Sequence, residues 1–148
     1  MILLQSTDES LALGARLGAV LRVGDVVALS GPLGAGKTLF TRGILAGLGY
    51  HGDVPSPSFP LVIPYQPPAV HVPLTHIDLY RIHDSAGLAE LGLADARADS
   101  ALVVEWPDFI VHQGWDDMLM LFFEIASDTS RVLTAHAPPA WESRWPLR

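Results

Sequence analysis

Residues Gly31 to Thr38 read GPLGAGKT, a complete G-x-x-x-x-G-K-[ST] pattern. Gly31 and Gly36 leave room for the backbone to wrap closely, so that successive N–H groups can point at phosphate oxygens. A lysine at the next position places an ammonium between the β- and γ-phosphates, and the following threonine offers a hydroxyl to Mg²⁺. The chemistry implied is capture of a nucleoside triphosphate with magnesium. The expected contacts run over Gly31, Leu33, Gly34, Ala35, Gly36, Lys37, Thr38 and Leu39. No guanine-reading N-K-x-D sequence is present, which favours ATP over GTP.

A triphosphate site also needs carboxylates to order magnesium and the attacking water. Glu105 follows the apolar run ALVV, at the carboxyl end of an expected buried strand, where ligands of α/β sheets sit, with a surface carboxylate at a strand end as its alternative role. Asp78, in HIDLYR, ends another extended run and competes for the same work, with an ion pair to Arg81 as its alternative role. Ser58, in the loop SPSF, is placed to contact a γ-phosphate or its magnesium, or else is a solvent-facing turn residue. Trp106 either covers the nucleotide or packs beside the strand. His71, His76, His83 and His112 lack a second ligand at metal-site spacing and read as structural.

The elements that must carry these residues are legible in outline. Val26 to Ser30 (VVALS) is a continuous apolar run, the signature of a parallel strand covered on both faces. The glycine-rich loop follows it, then a helix from Lys37 to Leu48 closed by Gly49, which is the strand–loop–helix order that a phosphate loop requires. Met1 to Leu4 predicts an edge strand. Ser6 and Glu9 form a capping box that opens a helix over residues 8 to 22. Leu61 to Tyr65 and Val70 to Leu79 predict a paired edge, and Asp84 to Asp99 a helix broken at Gly92. Ala101 to Trp106 predicts a second buried strand. Met118 to Ile125 and Arg131 to Ala137 predict a terminal hairpin around Ser127 to Ser130, followed by an irregular tail. The fold expected is α/β: a small single-domain P-loop NTPase over residues 1 to 148, with a mostly parallel central sheet, flanking helices and antiparallel edge or hairpin strands.

Composition bounds the partners. The formal net charge is −7, and only one of nine Lys+Arg residues is lysine, which argues against autonomous nucleic-acid binding. No run of about 18 apolar residues could span a membrane, and the amino terminus does not read as a signal peptide, so cytoplasm is the expected compartment. Cysteine is absent, which excludes disulfides and thiolate metal sites.

Taken in order, STDES before a helix, GPLGAGKTLFTRG, VPSPSFPLV, HIDLYR, LGL and VVEWPD resemble the TsaE (YjeE) family over residues 6 to 108. That family supplies the ATPase of bacterial tRNA threonylcarbamoyladenosine biosynthesis. The resemblance implies ATP and Mg²⁺ as cofactors, Lys37, Asp78 and Glu105 as catalytic residues, and Thr38 and Glu105 at the metal. It places Ser58 at a switch-like position, Trp106 as the aromatic after the carboxylate, Thr7 near the nucleotide and Arg131 at a weaker contact. Pro32 departs from the aspartate usual there and removes one N–H donor from the loop. The implied partners are TsaD and TsaB, with tRNA reached only through them, and the isolated chain is expected to be a monomer with a low intrinsic hydrolysis rate. A small-molecule phosphotransferase and a non-hydrolysing, nucleotide-gated assembly subunit are the competing readings.

Overall fold

The computed structural model describes residues 1–55, 62–80, 82, 85–107 and 114–145. The run Val26–Ser30 is a strand (β2), and every residue but the last is buried. Its apolar character on both faces follows from its place in a seven-stranded sheet ordered β1-β7-β6-β2-β5-β4-β3. In that order β1 is Ile2–Leu4, β3 Val62–Tyr65, β4 Leu74–Asp78, β5 Ala101–Glu105, β6 Leu119–Ile125 and β7 Arg131–His136. The four central strands are parallel, β6 to β2 to β5 to β4. Antiparallel strands flank them: β3 on β4, β7 on β6 and β1 on β7. Pro64 lies in β3, an edge strand, where a missing N–H is tolerated.

Helix α1 (Thr7–Gly18) and helix α2 (Lys37–Gly47) cover one face of the sheet. Leu13 and Leu17 of α1 and Phe40, Ile44 and Leu45 of α2 join Val27, Leu29, Val103 and Leu121 in one core. The two helices touch backbone to backbone. A Cβ on Gly14 would come within 2.6 Å of the Phe40 carbonyl, and one on Gly43 within 2.6 Å of the Leu11 carbonyl. Gly18 and Gly47 meet Ile44 and Ala15 in the same way. Two short helices, α3 (Ser85–Glu90) and α4 (Leu93–Asp99), cover the other face, where Leu88 and Leu93 pack with Val26, Ile77, Leu102 and Val104.

The structure amends several expected boundaries. The capping box forms, with Ser6 Oγ accepting from Glu9 N at 3.2 Å, but the carboxylate of Glu9 reaches back to Gln5 N. The helix it opens stops at Gly18, and Ala19 to Leu21 continue in turns. The extended segment before Asp78 is only the strand Leu74–Asp78, because residues 70–72 are bent. The break expected at Gly92 is present: it takes φ +63 and separates α3 from α4, since a left-handed residue cannot continue a right-handed turn. The hairpin is not an appendage. Its first strand, β6, is a parallel neighbour of β2 inside the sheet. The tail holds a 3-10 turn, Pro139–Trp141, whose Trp141 is buried.

Candidate functional site

The loop between β2 and α2 takes its shape from glycine. Gly34 and Gly36 have φ +82 and +98 with open space where a Cβ would sit, so conformation rather than crowding calls for glycine there. At Gly31 the reason is contact, since a Cβ would lie 2.6 Å from the Phe123 carbonyl. Pro32 lacks an N–H, yet its carbonyl accepts from Ala35 N at 3.1 Å and closes the turn. Gly36 caps α2 with its own carbonyl, which accepts from Phe40 N at 2.9 Å, and no side chain blocks the helix's first N–H groups. Those donors and the positive helix end form an anion-binding surface.

Lys37 is buried along its stem. Its Nζ donates to the Gly31 carbonyl at 2.5 Å and stands 3.4 Å from the centroid of the Trp106 ring. Thr38 Oγ1 lies 3.4 Å from both carboxylate oxygens of Glu105. Glu105 is the last residue of β5 and is paired in register with Asp78, the last residue of β4. Parallel register sets the two carboxylates side by side on one face, at the carboxyl ends of their strands. Both are buried. Asp78 Oδ1 accepts from Tyr80 N at 2.8 Å. Past the strand end, Leu79 N donates to the Glu105 carbonyl at 3.0 Å and Trp106 N to the Leu29 carbonyl at 3.2 Å. Trp106 itself adopts φ +57, and its ring lies 5.0 Å from that of Tyr80. A bulky residue in left-handed backbone stores strain, which native structures retain where a side chain must be aimed.

Two cavities flank the start of α2, and Gly36 and Leu39 line both. The smaller, about 240 Å³, is walled by Lys37, Thr38, Asp78, Glu105 and Trp106. The larger, about 320 Å³, is walled by Thr7, Ser10, Asp128, Thr129 and Arg131. Of these two cavities, the smaller is the one walled by a carboxylate pair. Arg131 joins the two sides: its Nη2 donates to the Gly34 carbonyl at 3.1 Å, and its Nη1 to Ser127 and Ser130 carbonyls at 2.9 Å.

The donor set decides what cation would fit. Among the described residues no cluster of three His, Cys, Asp or Glu could cage a metal. A hydroxyl and one or two carboxylates suit Mg²⁺, which keeps much of its water and takes further oxygens from phosphate. Two adjacent buried carboxylates also repel one another, which a cation between them and a phosphate would relieve.

Residues 4–133 match the family model described as Threonylcarbamoyl adenosine biosynthesis protein TsaE. The chain belongs to the TsaE family. The TsaE protein of Streptomyces coelicolor is 46% identical over 137 residues, covering 90% of this chain and 91% of its own length. That of Bacillus subtilis is 35% identical over 128 residues, covering 86% and 78%. Both carry the name tRNA threonylcarbamoyladenosine biosynthesis protein TsaE. The crystal structure of Bacillus subtilis YdiB superposes with a TM-score of 0.76 at 30% identity, over 92% of this chain and 83% of that one. The sheet, the loop and the flanking helices are those of a P-loop NTPase fold, as the sequence pattern implied.

Within this TsaE-family fold, Lys37, Thr38, Asp78, Glu105 and Trp106 converge on one cavity. Leu33 is exposed on the loop, and Ala35 turns its side chain into the core, so any contact it makes with phosphate is through backbone. Thr7 and Arg131 fall at the other cavity. Ser58, and Arg81 as the alternative partner of Asp78, lie outside the described residues. The sequence reading of His76 as merely structural is incomplete. Its Nε2 sits 2.5 Å from Glu105 Oε2. The signal was spacing: two residues before Asp78 on the same strand puts His76 on the same face. Asp128 and Thr129 at the larger cavity carried no comparable signal, because a turn reaches its place through the hairpin.

Proposed function

We propose that this chain binds ATP with magnesium and hydrolyses it slowly, as the subunit that cycles a TsaD–TsaB transferase during tRNA threonylcarbamoyladenosine modification in the cytoplasm. The observation that carries the reading is the meeting of the phosphate loop with Glu105, whose carboxylate stands 3.4 Å from the Thr38 hydroxyl. Lys37, which now contacts the Gly31 carbonyl and the Trp106 face, would hold a β/γ-phosphate oxygen. Thr38 and Glu105 would hold Mg²⁺. When bound, Mg²⁺ neutralises charge that develops on the transferring group. Asp78, held by Tyr80 N, orients water at the carboxyl end of β4. Trp106 closes the cavity above Lys37.

The family supports the role in tRNA modification, since the relatives from Streptomyces coelicolor and Bacillus subtilis bear that name. The low intrinsic rate follows from what surrounds the phosphates: among the described residues no arginine lines the smaller cavity. An arginine that stabilises the transferring group is worth about 10³-fold or more in rate, so one supplied by a partner would raise hydrolysis accordingly. The acidic chain leaves tRNA contact to its partners. Phosphate release measured with and without TsaD–TsaB tests the reading. The expected result is release that rises with the partners and is lost in Glu105→Ala. Wild-type release and normal tRNA modification by that variant would overturn it.

A further inference from the structure

His76 is wholly buried on the face of β4 that also carries Leu74 and Asp78. One ring nitrogen, Nε2, is 2.5 Å from Glu105 Oε2. The other, Nδ1, is buried and has no hydrogen-bond partner among the described residues. An ionised carboxylate only accepts, so Nε2 carries a proton and donates it to Glu105 Oε2. Packing alone would be served better by leucine or valine, which need no partner. A buried ring whose one hydrogen bond among the described residues is to a site carboxylate points to work done through that carboxylate.

The geometry fixes what the work is. Glu105 is held from below by His76 and faces the Thr38 hydroxyl at 3.4 Å with both oxygens. Without the imidazole the carboxylate would rotate about its terminal torsion, which has a broad energy well. We infer that His76 is a positioning residue, whose Nε2–H locks the Glu105 carboxylate in the orientation that couples Mg²⁺ to nucleotide binding. This inference rests on the proposed reading of Glu105 as the carboxylate on the metal side. It parallels metal sites in which the partner behind a ligand is worth about 10- to 100-fold in metal affinity or activity.

The test is calorimetric titration of the full chain with a non-hydrolysable ATP analogue, with and without Mg²⁺, the ratio of the two affinities being the readout. In H76Q the amide nitrogen reaches about as far as Nε2 and should keep the wild-type ratio. In H76N the side chain is one carbon shorter, misses Oε2 and should cut the ratio about tenfold. Magnesium-free affinity should stay unchanged in both, which also reports that the loop is folded. If H76N does not fold, H76L takes its place under the same two readouts. E105Q separates the inference from its premise. A wild-type ratio in H76N, with loss in E105Q, overturns the role of His76 alone. Equal loss in H76Q and H76N traces the effect to packing and overturns it as well. A wild-type ratio in E105Q overturns the reading of the carboxylate and the role of His76 with it.

Discussion

Lys37 is the one lysine of the chain, and its ammonium is held between a backbone carbonyl and an aromatic face. That arrangement keeps a mostly buried charge satisfied, and in the proposed function a phosphate replaces those partners. Lys37→Ala removes the charge together with its desolvation cost, so the thermal midpoint should change little. Affinity for ATP should fall by about 100-fold, the equivalent of roughly 3 kcal/mol for charge-assisted bonds to phosphate. Titration calorimetry beside a thermal melt checks both halves, and retained affinity would sink the loop assignment. Arg131 acts from the far side. It fastens the β6–β7 turn to the Gly34 carbonyl, so Arg131→Ala should weaken nucleotide binding about tenfold, by about 1.5 kcal/mol, without unfolding the chain.

Helices α1 and α2 come close enough for glycine to be the only residue that fits between them. The phosphate loop is the amino-terminal end of α2, so the crossing sets where its N–H groups point. Gly43→Ala would press a methyl onto the Leu11 carbonyl, 2.6 Å from where its Cβ would lie. Backbone cannot yield as a side-chain tip does, and overpacking of this kind costs about 1–3 kcal/mol. The expected drop in melting temperature is about 3–10 °C for a chain of this size. A melt as stable as wild type would show that the helices separate freely. Sequence reading found both helices from their caps and apolar spacing. It did not foresee the contact, because the glycines face each other only once two distant segments are docked.

The family match ends at residue 133, yet the residues beyond it close the molecule. Trp141 is buried, its indole N–H donates to the Asp117 carbonyl at 3.0 Å, and Arg144 stacks on its ring. Arg144 in turn grips both carboxylate oxygens of Asp25, at 2.6 and 2.9 Å, just before β2. The tail therefore braces the strand that leads into the phosphate loop. Trp141→Ala should cost about 3–5 kcal/mol, as for other large buried aromatics. Urea unfolding should show the midpoint lowered with its slope unchanged, and a midpoint within error of wild type would mean that the tail is dispensable.

The sequence by itself determined the phosphate loop, the two buried runs that became the parallel strands β2 and β5, and the two carboxylates at strand ends. These are local facts: glycine spacing, apolar continuity and the polar residue that ends a run are all written along the chain. Only the tertiary structure decided which carboxylate faces Thr38, that His76 stands behind it, and that β6 lies beside β2. Sheet order and register bring together residues 67 and 29 positions apart, Thr38 with Glu105 and His76 with Glu105. Partners at such separations are chosen by how strands pair and helices dock, which no local pattern encodes.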